Sequence, residues 1–130
     1  MNLKEYFANA SGLGVLSTAD ENGKVNAAIY ARPHVFSDDT VGFIMTERLT
    51  YHNLQSNPSA AFLFKEEGEE FHGCRLYLTK LEEEKDTERV AKLRRRTYEE
   101  DKQGRYLVTF RVEKALALLG AEELQIAVTV

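Results

Sequence analysis

The amino-acid sequence predicts a mainly β fold of the α+β class: a small antiparallel barrel of six or seven strands with two or three short peripheral helices, in one domain spanning residues 1–130. Three observations lead there. Segments rich in β-branched and aromatic residues recur at short, regular spacing, hairpin-type turn residues separate them, and helical periods are confined to brief stretches. Closing a sheet into a barrel removes its edges, and partial closure leaves an edge that invites a second chain.

Leu3, Tyr6, Phe7 and Ala10 fall three and four apart, which predicts an amphipathic helix ended by Ser11-Gly12 and covering a barrel end. Gly12-Leu13-Gly14 has no third glycine and no strand-to-helix context, so it reads as a turn and not as a phosphate cradle. Val15 to Thr18 and Val25 to Val35 form a hairpin around Asp20-Glu21-Asn22-Gly23, because Asn22 and Gly23 accept positive φ at little cost. Ser37-Asp38-Asp39 breaks the second strand, and Val41 to Met45 adds a third. Arg48 to Asn57 loses the period of two and, closed by Asn57-Pro58, reads as a short helix or turn. Ser59 to Phe64 resumes as a strand, and Glu66 to Glu70 as an exposed acidic turn. Phe71 to Leu81 is a long strand with Cys74, Leu76 and Leu78 on one face. A surface helix starts at Asp86 or Thr87 and runs to Tyr98, its apolar stripe only Val90, Ala91 and Leu93. Tyr106 to Val112 and, after Leu119-Gly120-Ala121, Gln125 to Val130 supply the last strands.

Composition narrows the function classes. With 43% hydrophobic and 29% charged residues and two prolines, the chain is neither disordered nor collagenous. A chain of 130 residues buries about two thirds of its surface on folding, enough for a core without staples. No apolar run approaches the roughly 18 residues a membrane span needs. Met1 to Glu5 carries no secretory pattern, and the lone Cys74 fits a reducing compartment, so the expected location is cytoplasmic. A net charge of -4 argues against a dedicated nucleic-acid binder, and an anionic ligand then needs a local basic pocket.

Few catalytic patterns are present. His34, His52 and His72 are widely spaced; His72 and Cys74 could share a strand face, but two ligands do not make a metal site. Cys74 reads as a buried small hydrophobe, and no nucleophile-elbow sequence occurs. Arg94-Arg95-Arg96, with Arg89 and Lys92, is bracketed by Glu82-Glu83-Glu84 and Glu99-Glu100-Asp101, as on a solvated helix with local ion pairs. Met45 to Leu54 is more informative. Arg48 offers a fork for a phosphate, Thr46 and Thr50 offer hydroxyls, and a helix starting near Thr50 aims backbone N–H groups at the same anion. The alternative for this stretch is an ordinary capped turn.

The Asn-Gly hairpin, the strand Val41 to Met45, the stretch Arg48-Leu49-Thr50-Tyr51-His52-Asn53-Leu54-Gln55-Ser56-Asn57-Pro58, the strand Ala60 to Phe64 and Gly73-Cys74-Arg75-Leu76-Tyr77-Leu78-Thr79-Lys80 together resemble the pyridoxamine 5'-phosphate oxidase-like family of FMN-binding split barrels. The resemblance implies a six-stranded split barrel that forms a homodimer, with FMN in clefts between the two chains. It implies a phosphate at Thr46 to Asn53 and a flavin ring along Ala27 to Arg32. Met45 and Thr46 would contact the ring edge or ribityl chain, Arg48 and Thr50 the phosphate, with Leu49 in the same turn and Asn53 as its buttress. Ile29 and Tyr30 would offer backbone groups to the ring's polar edge. The true oxidase has an arginine at the position of Ala28, basic residues at Leu49 and Thr50, and a C-terminal substrate arginine and histidine that find no match here. Vitamin B6 oxidation is therefore not implied, and the phosphate would rest on Arg48, with Arg32 or Arg75 as further candidates.

The function expected is that of an FMN-binding flavoprotein, an oxidoreductase or flavin reductase working with a small-molecule electron donor or acceptor. The cofactor carries the chemistry, which agrees with the absence of acid–base motifs. Tyr30 and His34 are the side chains to test near the ring, with Arg32-Pro33-His34 leaving the strand at a cleft. One alternative is a non-catalytic FMN or haem carrier or sensor, haem requiring His34, His52 or His72 to face the pocket. Another is a cofactor-free dimeric interaction domain, which the missing basic residues favour.

Overall fold

Two phenylalanines define the shape of the sheet, and the order of its strands shows why. The computed structural model describes residues 1–93 and 104–127. In chain order the elements are α1 (Leu3–Asn9), β1 (Gly12–Ala19), β2 (Val25–Tyr30), β3 (His34–Val35), β4 (Thr40–Met45), α2 (Leu49–Ser56), β5 (Ser59–Glu66), β6 (Gly73–Lys85), α3 (Glu88–Leu93), β7 (Tyr106–Ala117) and β8 (Glu123–Leu124). The strands form one sheet in the order β2-β1-β5-β6-β7-β4-β3, with β8 paired to β7 and every pairing antiparallel. Phe43 on β4 and Phe62 on β5 are separated by β6 and β7 in that order, yet their ring centroids lie 4.9 Å apart. Tyr30 on β2 and Phe43 are further apart still in the order and meet edge to face at 5.8 Å. The sheet is therefore curled around an aromatic core.

The curl does not close. β2 and β3 end the sheet, joined only through Ala31-Arg32-Pro33 and not by a ladder. Pro33 has no N–H to give, which is the physical reason the expected single strand Val25 to Val35 divides in two. α1 covers the barrel end, as its periodicity predicts: Leu3 and Phe7 are buried, and Phe7 meets Phe64 at 5.4 Å. Asn2 caps α1 by accepting the Glu5 N–H at 3.0 Å, and Arg32 Nη1 donates to the Phe7 and Ala10 carbonyls at 3.0 and 2.9 Å.

The six principal strands are among those the sequence marks; β3 is the far end of the expected strand Val25 to Val35, and β8, also two residues long, is additional. Several boundaries differ. β1 already starts at Gly12, so Gly12-Leu13-Gly14 is strand and not turn, paired with Glu66, Lys65 and Phe64. A Cβ at Gly14 would lie 2.4 Å from the Tyr30 carbonyl oxygen and 2.5 Å from the Phe62 ring, so glycine there lets β2 and the core come close. β6 starts at Gly73 and runs on through the acids to Lys85, while β7 reaches Ala117. These two long strands pair with register shifts at Tyr77/Leu78 and Lys80/Glu82, which local alternation does not reveal. Of the expected last strand Gln125 to Val130, residues 125–127 are not strand, the short β8 at Glu123–Leu124 stands just before them, and residues 128–130 lie outside the described set. Thr87 caps α3 through the Val90 N–H at 3.2 Å, and the helix expected to run to Tyr98 is described only to Leu93; Arg94, Arg95 and Arg96 lie outside the described residues. Arg89 pairs with Glu84 at 3.3 Å, the local ion pairing expected of that helix.

Replacing Gly14 with alanine is expected to destabilise the protein by about 1–3 kcal/mol through overpacking. Urea unfolding checks this, and an unchanged midpoint would contradict the close approach assigned to Gly14.

Candidate functional site

The segment between β4 and α2 carries the candidate anion-binding groups. Arg48 stands at the N-cap of α2 with φ −128 and ψ −167, and no side chain caps the helix start. Its own N–H donates to the Thr46 carbonyl at 2.9 Å, which folds Thr46-Glu47-Arg48 into a tight bend. The first N–H groups of a helix have no intrahelical acceptor, so this end presents donors and the positive end of the helix dipole. No acidic residue occupies the first turn of α2, and among the described residues Arg48 enters no ion pair. Arg48 and Leu49 are exposed, Thr46 is half-buried, and Glu47 is exposed beside them.

Beneath this surface α2 is held by buried polar contacts. Thr50 is buried, and its hydroxyl accepts from Asn26 Nδ2 of β2 at 3.4 Å. Asn53, also buried, donates to the Thr18 hydroxyl of β1 at 3.0 Å. Tyr30 reaches the same place: burial pushes its phenol up, while a hydrogen bond to Thr50 and the Arg48 charge pull the other way. The structure thus brings Tyr30, Arg48 and Thr50 together over Asn53. Met45 is in the core at 2% exposure, so its side chain packs inward, and Ile29 lies on the opposite face of β2 at 69% exposure. β2 is an edge strand paired only with β1, which leaves its other edge open for backbone contacts.

A second set of contacts fixes the other side of α2. Tyr51 and Gln55, one turn apart, donate to the two oxygens of Glu83 at 2.5 and 3.0 Å, and Lys80 Nζ donates to the same carboxylate at 2.5 Å. Burial alone would raise the Glu83 carboxyl, but the bonds from Lys80, Tyr51 and Gln55 outweigh it and hold the group below the ordinary carboxylate range. Burial and the same carboxylate raise the Tyr51 phenol, whose ring stacks on Tyr106 at 4.1 Å. Glu83 reaches α2 from beyond the β6 register shift at Lys80/Glu82.

The remaining candidates separate. His52 is exposed on α2, and His72 lies before β6, exposed and 2.6 Å from Glu70. Cys74 is fully buried, its thiol pushed up to about 12 by burial and by nearby Glu66. His72 and Cys74 are thus in different surroundings, and among the described residues no group of three or more His, Cys, Asp or Glu could hold a metal. His34 alone of the three histidines lines a described cavity, beside Arg32 and Pro33, where the sequence predicts a cleft. Arg32 is bound to the Phe7 and Ala10 carbonyls, and Arg75 donates through Nε to Ala117 at 2.9 Å and through Nη2 to Gly120. No described helix is long and apolar enough to cross a membrane.

Solved structures share the fold. An FMN-binding protein from Syntrophomonas wolfei superposes with a TM-score of 0.75 at 22% identity, covering 93% of this chain and 86% of that one. HupZ of Group A Streptococcus gives 0.69 at 20% identity, with 95% and 96% covered. The heme storage protein HutZ of Vibrio cholerae gives 0.60 at 13% identity, with 88% and 91% covered. The chain therefore has the split-barrel fold that the sequence resemblance implies. No protein-family model matches the sequence, and no curated protein matches it.

Sequence reasoning misses Asn26, Thr18 and the group around Glu83. Thr18 and Asn26 sit on inward positions of their strands, so period-two alternation would have flagged them as polar residues facing the interior. Glu83 carried no such signal, because it read as one acid in a run. Since its pKa is lowered on folding, its stabilisation is present above the unfolded carboxylate pKa of about 4.3 and lost as pH falls through the lower folded value. Glu83→Gln is expected to destabilise by about 1–3 kcal/mol at pH 7. Urea unfolding of both proteins from pH 7 to pH 3 should show that difference shrinking in acid; a constant gap would contradict the charged role.

Proposed function

We propose that the chain is a member of the pyridoxamine 5'-phosphate oxidase-like family that binds FMN and acts as an oxidoreductase or flavin reductase on a small-molecule electron donor or acceptor. The observation that carries this reading is the uncapped start of α2 under Arg48, backed by Tyr30 and Thr50, on the fold of an FMN-binding protein. A phosphate needs a cationic fork and several N–H donors, and this segment offers both.

In this reading Arg48 and the first N–H groups of α2 hold the phosphate, and the Thr46 hydroxyl lies beside the ribityl chain. Thr50 and Asn53 act through position, since their side chains already bond Asn26 and Thr18. The open edge of β2 at Ile29 and Tyr30 receives the polar rim of the ring, and Met45 contributes backbone. FMN, when bound, supplies the electron-transfer chemistry. The chain's residues bind, orient and shelter it, and none is assigned as acid or base.

A second copy of the chain completes the cleft. Ile29, Val15 and Leu63 stand in register across β2, β1 and β5 on the outer face of the sheet. Ile29 and Leu49 are 69% and 57% exposed, a large apolar cost for residues of a binding site unless a partner covers them. The setting is cytoplasmic, where the unpaired Cys74 stays reduced.

Arg48→Ala is expected to weaken FMN binding by about 1–3 kcal/mol, the loss of a charge-assisted contact. Titration of FMN fluorescence against each protein measures it, and an unchanged affinity would remove the phosphate from this helix end.

A further inference from the structure

Lys80 and Glu83 stand three residues apart on β6, an odd separation that sends side chains to opposite faces of a regular strand. In the β6–β7 ladder Lys80 pairs with Phe110 and Glu82 with Thr109, so Leu81 has no residue opposite it and the alternation is reset. Lys80 and Glu83 consequently share the inward face, opposite the buried core residues Phe110 and Val108, with Lys80 Nζ 2.5 Å from the Glu83 carboxylate. We infer, given the FMN phosphate site proposed above, that Glu83 held by Lys80 is a positioning residue for that site: it sets phosphate affinity through Tyr51 and Gln55 without touching the ligand.

The connection runs through one residue of α2. His52 is the first residue of the helix whose N–H finds a helical acceptor, the Arg48 carbonyl at 2.9 Å, so the N–H groups offered to an anion are those of Leu49, Thr50 and Tyr51. Tyr51 carries one of these donors on its backbone and the anchor to Glu83 on its side chain, where the hydroxyl donates to the carboxylate at 2.5 Å. Its buried ring is stacked on Tyr106 at 4.1 Å, which leaves it little room to pivot. Gln55, one turn on, donates to the other carboxylate oxygen at 3.0 Å and to the Tyr51 carbonyl at 3.2 Å. A carboxylate gripped by two positions on one helix face fixes the rotation of the helix as well as its depth. Hydrogen bonds weaken steeply with misalignment, so that rotation governs how well the first N–H groups meet a phosphate.

Charge explains the part of Lys80. A bare carboxylate beside the first turns of α2 would oppose an anion at the helix start. Lys80 cancels it at close range, in a pair whose side chains are only 15% and 24% exposed. Lys80 Nζ also lies 3.5 Å from the Leu54 carbonyl oxygen, supplying near the helix end the cation that the last turn of α2 lacks. An apolar contact on this face would serve stability as well as a buried ion pair does. What the bonded carboxylate adds is a defined orientation of α2.

FMN and riboflavin, which differ by the phosphate, test this. Each is titrated by flavin fluorescence against the full chain, Tyr51→Phe and Glu83→Gln, all shown by circular dichroism to be folded at pH 7. Tyr51→Phe keeps the stacked ring and removes only the hydroxyl, and it decides alone if Glu83→Gln does not fold. Both variants should weaken FMN at least about threefold, the scale of coupling through residues that do not touch a ligand, and leave riboflavin unchanged. A wild-type chain that binds FMN no better than riboflavin would remove the phosphate site itself, and the role of Glu83 with it. With the wild-type preference for FMN present, the same preference in either folded variant, or an equal loss of both ligands, would overturn the positioning role alone. Tighter FMN binding by Glu83→Gln would do the same, by showing that Glu83 acts on the phosphate as a like charge.

Discussion

Phe43 and Phe62 belong to strands held apart by two others, and bringing their rings to 4.9 Å requires the whole sheet to bend. Around them Phe7, Phe64 and Phe110 extend the cluster from α1, β5 and β7. Aromatic pairs of this kind add about 0.5–1.5 kcal/mol each beyond the area they bury. The bend carries consequences for every other part of the molecule. It sets β2 facing β4 across the core, it gives α1 an end to cover, and it leaves β2 and β3 as neighbours in sequence that do not pair.

The candidate site is a product of that incomplete closure. α2 begins where β4 ends and lies against β1 and β2, so buried Thr50 and Asn53 tie it to strands from the far end of the sheet order. Glu83 holds the opposite side of the helix through Tyr51 and Gln55. A helix gripped on both sides keeps its first N–H groups and Arg48 in one place, which is what binding an anion at modest charge demands. At the split itself, Arg32 spans from the β2–β3 connection to the end of α1.

Much of this was legible in the sequence, for physical reasons. Asn22-Gly23 has one favoured geometry, and Gly23 adopts φ 82 in the turn. The alternation of Cys74, Leu76 and Leu78 predicts a buried face, and all three are buried. The apolar spacing of Leu3 and Phe7 gives α1 its role. Local pattern failed where the determinant was another strand. The glycines at 12 and 14 look like a turn until β5 and β2 are placed beside them. The extension of β6 into Glu82-Glu83-Glu84 depends on β7 and its register shifts, and the importance of Glu83 depends on a helix some thirty residues earlier. In the candidate site, the sequence marked Arg48, Thr50 and Asn53 as a group, but not which of them point inward, since that follows from the docking of α2.

The central claim is a flavin site completed by two chains, and one measurement bears on it most directly: size-exclusion chromatography of FMN-loaded protein with in-line visible absorbance and light scattering. The account predicts a flavin spectrum travelling with a particle of twice the 14.8 kDa chain mass. A colourless peak, or flavin retained on a monomer, would contradict it.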